Sequence, residues 1–313
     1  MRLSLTLAAV LAVSFAVPAS AQTKIVLGMS GWTGFAPLTL AEKAGLFQKH
    51  GVEVETKFIP QKERHLAMAA GAVQAIATTI DTHVSYTAAG VPLTQVLVLD
   101  KSNGGDGIAV RAGINSLADL KGKSVAVDGA GTTPYFTLAA ILQANGMKVS
   151  DLKISVLAPQ PAANAFVSGQ FDAAVTYEPY LSTIRNDPKA GKILVTTVQY
   201  PVVVDTVAFQ PDFIAKNPKA VQGVVDGFFA ALEMIKAEPA KAYEIMGARV
   251  NMTGPAFEAS AKFIAWQDKV ANQAYFAKEM MPFLETAAAI QLEAGVIRTK
   301  PDLKALMNDS FVK

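Results

Sequence analysis

The 313-residue chain contains no cysteine. Disulfides, a thiolate nucleophile, a cysteine-ligated zinc and an iron–sulfur cluster are therefore excluded, and so is a lipid anchor on a cysteine behind an export signal. Histidine is scarce: His50, His65 and His83 are the only three. His50 sits at a helix end beside Gly51. His65 follows Lys62-Glu63-Arg64 on a polar helix start. Only His83, in the turn after Asp81, falls near a strand end, and the three support no convincing nucleophile–base triad. Charge of one sign is missing too. A formal net charge of +2 leaves no footprint for nucleic acid or an anionic membrane. Beyond the N-terminus no apolar run approaches the length of a membrane span.

The N-terminus holds the one long apolar run. Arg2 gives a positive start, Leu3 to Val17 is interrupted only by Ser4, Thr6 and Ser14, and Ala19-Ser20-Ala21 is a small-x-small cleavage site. Residues 1–21 read as a secretory signal peptide cleaved after Ala21. The mature chain of 292 residues then begins at Gln22 and carries 27 basic against 26 acidic residues. Its expected place is free solution in a periplasm, as a monomer held together by packing alone. Its length suits one large domain or two lobes.

What is present is a strand–turn–helix pattern that repeats. Lys24–Met29, Val52–Ile59 and Val73–Thr79 read as strands separated by helices, and so do Ser124–Val127, Lys153–Leu157 and Phe171–Thr176. Lys24-Ile25-Val26-Leu27 matches Lys123-Ser124-Val125-Ala126 at an offset of 99, and Gly71 to Ile76 matches Gly169 to Ala174 at an offset of 98. Two β-α-β-α-β units predict two similar α/β lobes with mostly parallel sheets. The run Val202 to Phe209 then carries the chain back to the first lobe. The remainder reads as helices, including one after Asn217-Pro218 and others over 256–268, 277–293 and 302–307.

Ligands of open α/β sheets sit beyond the carboxyl ends of the strands. Those ends carry Gly31-Trp32-Thr33, Thr78-Thr79-Ile80-Asp81, Asp128 to Thr133, and Thr176-Tyr177-Glu178. The clearest is Lys123 to Phe136. A strand ends at Asp128, Gly129 and Gly131 allow a sharp turn, and Thr132 or Thr133 caps a helix with Pro134 in its first turn. Its free N–H groups can dock an anionic group. The carboxylates Asp81, Asp106, Asp128, Glu178 and Asp205 at strand ends or crossovers suit a ligand that also donates N–H. Three look-alike motifs fail. Pro134 replaces the third glycine of a dinucleotide fingerprint, Leu117 replaces the first glycine of a P-loop, and Trp32 replaces the last glycine of a nucleophile elbow.

Lys24 to Val54, with its Gly-Trp-Thr-Gly-Phe-Ala-Pro turn and Ala41-Glu42-Lys43-Ala44-Gly45-Leu46-Phe47, resembles the opening of substrate-binding proteins of ABC importers in the nitrate/sulfonate/taurine class. Leu117 to Lys123, Gly131-Thr132-Thr133, Gly169 through Tyr177-Glu178-Pro179, and Asn217-Pro218 resemble its later segments. The resemblance implies a type II periplasmic binding fold. Residues 22–108 and 206–313 would form one lobe, residues 109–205 the other, with crossovers near Gly107–Arg111 and Val203–Phe209 as a hinge. It implies a small-molecule solute bound between the lobes, an ABC permease as partner, no cofactor or metal, and no catalysis. Trp32 would pack on the solute. Thr33, Thr79, Thr132 and Thr133 would donate hydrogen bonds, and Asp81, Glu178 and Asp205 would accept them. Asp128 would accept one or brace its turn. An amino-sulfonate such as taurine suits both halves. The alternatives are a pyrimidine-like nitrogen heterocycle of the thiamine-precursor type and a periplasmic enzyme on the same scaffold. The similar pyrimidine-precursor synthases carry a cysteine-rich motif that this chain lacks.

Overall fold

The computed structural model describes residues 22–313; the expected signal peptide, residues 1–21, lies outside the described residues. Among the described residues eleven strands form two sheets. The first sheet opens with β1 (Thr23–Met29), β2 (Val52–Phe58), β3 (Ala75–Thr79) and β4 (Thr94–Ser102). The second takes β5 (Asp106–Val110), β6 (Ser124–Val127), β7 (Lys153–Val156), β8 (Ala173–Tyr177) and β9 (Lys192–Thr196). The chain then returns to the first with β10 (Val204–Phe209) and β11 (Ile264–Trp266). The orders are β11-β4-β10-β3-β1-β2 and β7-β6-β8-β5-β9. Helices flank both mixed sheets, and the result is two α/β lobes.

The sequence repeat is a repeat of strand pairing. Thr23 pairs with Val52 and Ser124 with Lys153, each 29 positions on. Leu27 pairs with Ala75 and Val125 with Ala173, each 48 positions on. In both sheets the third parallel strand has an antiparallel neighbour, β10 beside β3 and β5 beside β8. Side chains alternate as strand geometry demands. Along β6, Val125 and Val127 join a cluster with Leu138 and Ile141, whereas Ala126 joins Phe166 and Ile184 on the other face. The small Ala126 and Ala174 leave room for Phe166. The first lobe is larger because helix Pro218–Ala237 buries Val221, Val224, Val225, Phe228 and Leu232 against it at the predicted 3.6-residue spacing.

The links between the sheets lie one step earlier than the sequence placed them. They are residues 103–105, between β4 and β5, and 197–203, between β9 and β10. The expected divisions at 108/109 and 205/206 fall inside β5 and β10. The two links touch: Ser102 Oγ lies 2.7 Å from Thr197 Oγ1, and Gly104 N donates to Thr197 Oγ1 at 2.9 Å. Other differences are local. The single helix predicted to His50 stops at Lys43, because Gly45 turns the chain at φ +68° before the short helix Leu46–Lys49. The helix predicted over 256–268 ends at Ala261, and Ile264–Trp266 pairs with β4 instead. The helix predicted over 277–293 is two, Lys269–Lys278 and Met280–Glu293. Residues 303–306 form turns, and Met307 bridges to Gln95.

Candidate functional site

Because β5 and β10 run antiparallel to their neighbours, their starts lie at the same edge as the ends of β1, β3 and β8. That edge closes a cavity between the lobes. Ser30, Trp32 and Phe35 enter it after β1, Gln61 and Arg64 after β2, and Thr78 and Thr79 at the end of β3. From the second sheet come Asp106, Thr133 and Tyr177, and from the return crossing Val203 and Asp205. The free volume is about 10 Å³, room for one water molecule. The lobes are shut on each other. A larger groove of about 430 Å³ lies on the outer seam between helices Thr133–Ala144 and Met280–Glu293, where Gln143 and Glu293 bond one another and Tyr135, Lys148 and Ser150 complete the polar lining. The interlobe cavity, where buried polar groups converge, is the better site.

Its charges are unevenly matched. Arg64 is 1% exposed. Its Nε donates to Ile59 O at 2.9 Å and its Nη1 to Ala77 O at 2.8 Å, while Nη2 has no partner. Burial lowers its pKa, yet a guanidinium keeps its charge. Against this one cation stand Asp106 and Asp205, with Asp100 behind them, each with an unpartnered Oδ2. Asp100 and Asp205 are cross-strand partners on β4 and β10. Burial pushes Asp106 up to about 7 and Asp100 up to about 8. Burial, and then Asp100, Asp106 and Asp81 around it, pushes Asp205 well above the carboxylate range. Trp32 Nε1 donates to Asp100 at 3.1 Å, and its ring meets Tyr177 edge-on across the lobes, with centroids 5.6 Å apart.

Gln61 bridges the lobes. Its Nε2 lies 2.7 Å from Thr78 Oγ1 and 2.9 Å from Thr82 Oγ1 in the first, and 2.7 Å from Thr133 Oγ1 in the second. Its Oε1 accepts from Thr133 N at 3.3 Å, the start of helix Thr133–Ala144. The backbone N–H is only a donor, and this fixes which end of the carboxamide faces it. Thr79 and Thr133 hydroxyls meet at 2.8 Å beside it.

Of the nine residues singled out from the sequence, Trp32, Thr79, Thr133 and Asp205 line the cavity. The other five are engaged elsewhere. Thr33 bonds Ser260 through its hydroxyl and Glu178 O through its N–H. Thr132 donates to Gly129 O at 2.8 Å. Asp128 accepts from Gly129 N at 2.7 Å and braces the turn, with Lys62 4.0 Å away. Asp81 accepts from Thr82, and burial raises it to about 7. Glu178 receives Arg185 Nε at 3.1 Å on one oxygen and Ser182 N at 3.1 Å on the other. Burial raises Glu178, and Ser182 and Arg185 oppose that rise. Glu178 lies before the helix Tyr180–Arg185 that carries Arg185 at its last position, and no local spacing marks the pair. His83 is fully buried, with burial lowering it to about 3, so it is neutral and off the cavity. Gln61 and Arg64 line the cavity without having been chosen, and so do Asp106, named from the sequence only among the strand-end carboxylates, and Tyr177, named only within its strand end.

This two-lobed arrangement is the periplasmic binding protein fold. The alkanesulfonate-binding protein SsuA from Xanthomonas axonopodis pv. citri, solved bound to MOPS, matches with a TM-score of 0.78 over 93% of this chain and 100% of that one, at 16% identity. At that identity the likeness is one of fold. A family model described as NMT1/THI5 like matches residues 32–242, and the chain belongs to that family. Among curated relatives, a candidate binding protein of Brucella abortus is 24% identical over 241 residues, covering 75% of this chain and 73% of that one. The taurine-binding periplasmic protein of Escherichia coli is 28% identical over 153 residues, 48% of this chain and 47% of its own.

Proposed function

We propose that the protein is the periplasmic solute-binding component of an ABC importer, taking a small polar solute between its lobes and handing it to a membrane permease. The observation that carries this reading is the interlobe cavity, where Arg64 faces Asp106 and Asp205 beside Trp32 and Tyr177. The shut cavity has room for one water molecule only, so the lobes part to admit a solute; a solute touching both lobes then favours a form closed around it, which a permease can distinguish from the open one. The links at 103–105 and 197–203 are the hinge of this reading, and the two sheets with their helices are its moving bodies.

The solute class that fits is a small zwitterion, with taurine as its simplest member. Its oxyanion would meet Arg64 Nη2 and its ammonium the carboxylates. This moves the oxyanion away from the helix start at Thr133, which Gln61 occupies. A second reading, a protonated nitrogen heterocycle, is favoured by the rings of Trp32, Phe35 and Tyr177 at the cavity. Ser30 lines the cavity but no histidine does, which supports a receptor over an enzyme. Calorimetry and thermal shift with taurine, alkanesulfonates, nitrate, bicarbonate and aminopyrimidines test the reading, with small-angle scattering to follow closure. Binding of one of them with a fall in radius of gyration is the expected outcome. Turnover of a bound compound, or no binding by any class, overturns it.

A further inference from the structure

We propose that the cleft selects ligands bearing a cationic N–H group and rejects plain oxyanions, and that Gln61, Asp106 and Asp205 set this choice. The proposal rests on the receptor reading above. Two features of the cleft could hold an oxyanion, the start of helix Thr133–Ala144 and Arg64. The first is taken. Gln61 Oε1 accepts the Thr133 N–H, Thr132 N bonds back to Gly129 O, and Pro134 has no N–H to give. Only two of Arg64's three nitrogens find partners, both backbone carbonyls, leaving Nη2 for a ligand.

Carboxyl groups outnumber the one cation of the lining, and burial keeps them largely protonated while no ligand is bound. Asp106 Oδ2 and Asp205 Oδ2 are buried without partners at the same cavity, and Asp100 Oδ2 is buried without a partner on the strand beside Asp205. A sulfonate or nitrate entering alone would satisfy Nη2 and give these carboxyls no cation to ionise against. A ligand that also carries an ammonium or a protonated amidine supplies the missing donors. Gln61 serves the same end from the other side. A neutral carboxamide closes the helix N-terminus without adding charge, so the ligand's cationic end is not drawn off by a competing anion there.

The test compares matched compounds by calorimetry on the purified protein: taurine, ethanesulfonate, nitrate and ethylammonium. Taurine should bind at least ~100-fold more tightly than ethanesulfonate, the loss that follows when a buried charge goes unpaired. Asp205→Asn should narrow that gap at least ~10-fold. Gln61→Ala, by freeing the helix start, should tighten ethanesulfonate binding. Ethanesulfonate or nitrate binding as tightly as taurine overturns charge selection and leaves the receptor reading standing. An unchanged gap in Asp205→Asn overturns the assignment of the choice to that carboxylate. If none of the four gives heat or a thermal shift, the charge-selection proposal falls, while the receptor reading stands or falls on the wider panel above.

Discussion

The two halves of this protein share a pairing scheme and differ in chemistry. At an offset of 98, Thr79 at the end of β3 corresponds to Tyr177 at the end of β8, and both line the cavity. The same offset sets Gln61 and Arg64 against Pro159 and Ala162. Both pairs begin a helix after the second strand of the unit, yet one brings a bridge and a buried cation to the cleft and the other brings a helix-starting proline and a packed methyl. The carboxylates divide similarly. Asp205 stays open to the cavity, whereas Glu178 is closed in an ion pair with Arg185. A repeated scaffold leaves the strand ends free to diverge, and here the first lobe brings Arg64 and Asp205 to the cavity while the second brings Asp106 and Tyr177.

The largest test of that contrast is Arg64→Gln. Losing one charge-assisted contact of about 1.5–3 kcal/mol should weaken taurine binding about 10- to 100-fold by calorimetry, and the Ile59 and Ala77 carbonyls lose donors as well. An affinity within threefold of the parent would mean that Arg64 does not carry recognition. Glu178→Gln should do the reverse. It removes the partner of Arg185 and should cost about 1–2 kcal/mol of stability, seen as a Tm lower by several degrees, with taurine affinity nearly unchanged. A large affinity loss would return Glu178 to the site.

The buried aspartates give a pH signature. Unfolded, they titrate near 4; folded, Asp81 and Asp106 titrate at about 7 and Asp100 at about 8. Between those limits the folded chain holds more protons than the unfolded one, so stability falls as pH rises. Calorimetric Tm of the solute-free protein should decline from roughly pH 5 to pH 8, and Asp100→Asn should flatten the decline. A Tm that rises over this range would show that the carboxylates are paired after all. The smallest effect belongs to Thr132→Ala. Its hydroxyl closes a turn on Gly129, so about 1 kcal/mol or less of stability and under twofold in affinity should change.

The strand ends were legible because local signals mark them: alternation, then Gly, Thr or Asp where the chain turns. Trp32, Thr79, Thr133 and Asp205 follow from that geometry. Gln61 and Arg64 do not. Lys62-Glu63-Arg64 reads as a solvated helix start, and nothing local shows that Arg64 folds back onto carbonyls at Ile59 and Ala77. Glu178 is the opposite case, a carboxylate at a strand end read without Arg185, its partner at the end of the helix that follows. Ile264–Trp266 was missed because three apolar residues after a helix carry no period of their own, and only the free edge of β4 makes them a strand.

The paired links have a mechanical consequence. Residues 103–105 and 197–203 are tied at Thr197, and Val203 O accepts from Ser102 N at 3.1 Å. A single tether would let one lobe swivel in any direction. Two tethers side by side form a flat strap that folds about its width and resists torsion. On the receptor reading the lobes then approach face to face along one path, so that the Trp32–Tyr177 and Gln61–Thr133 contacts meet in register on each closure.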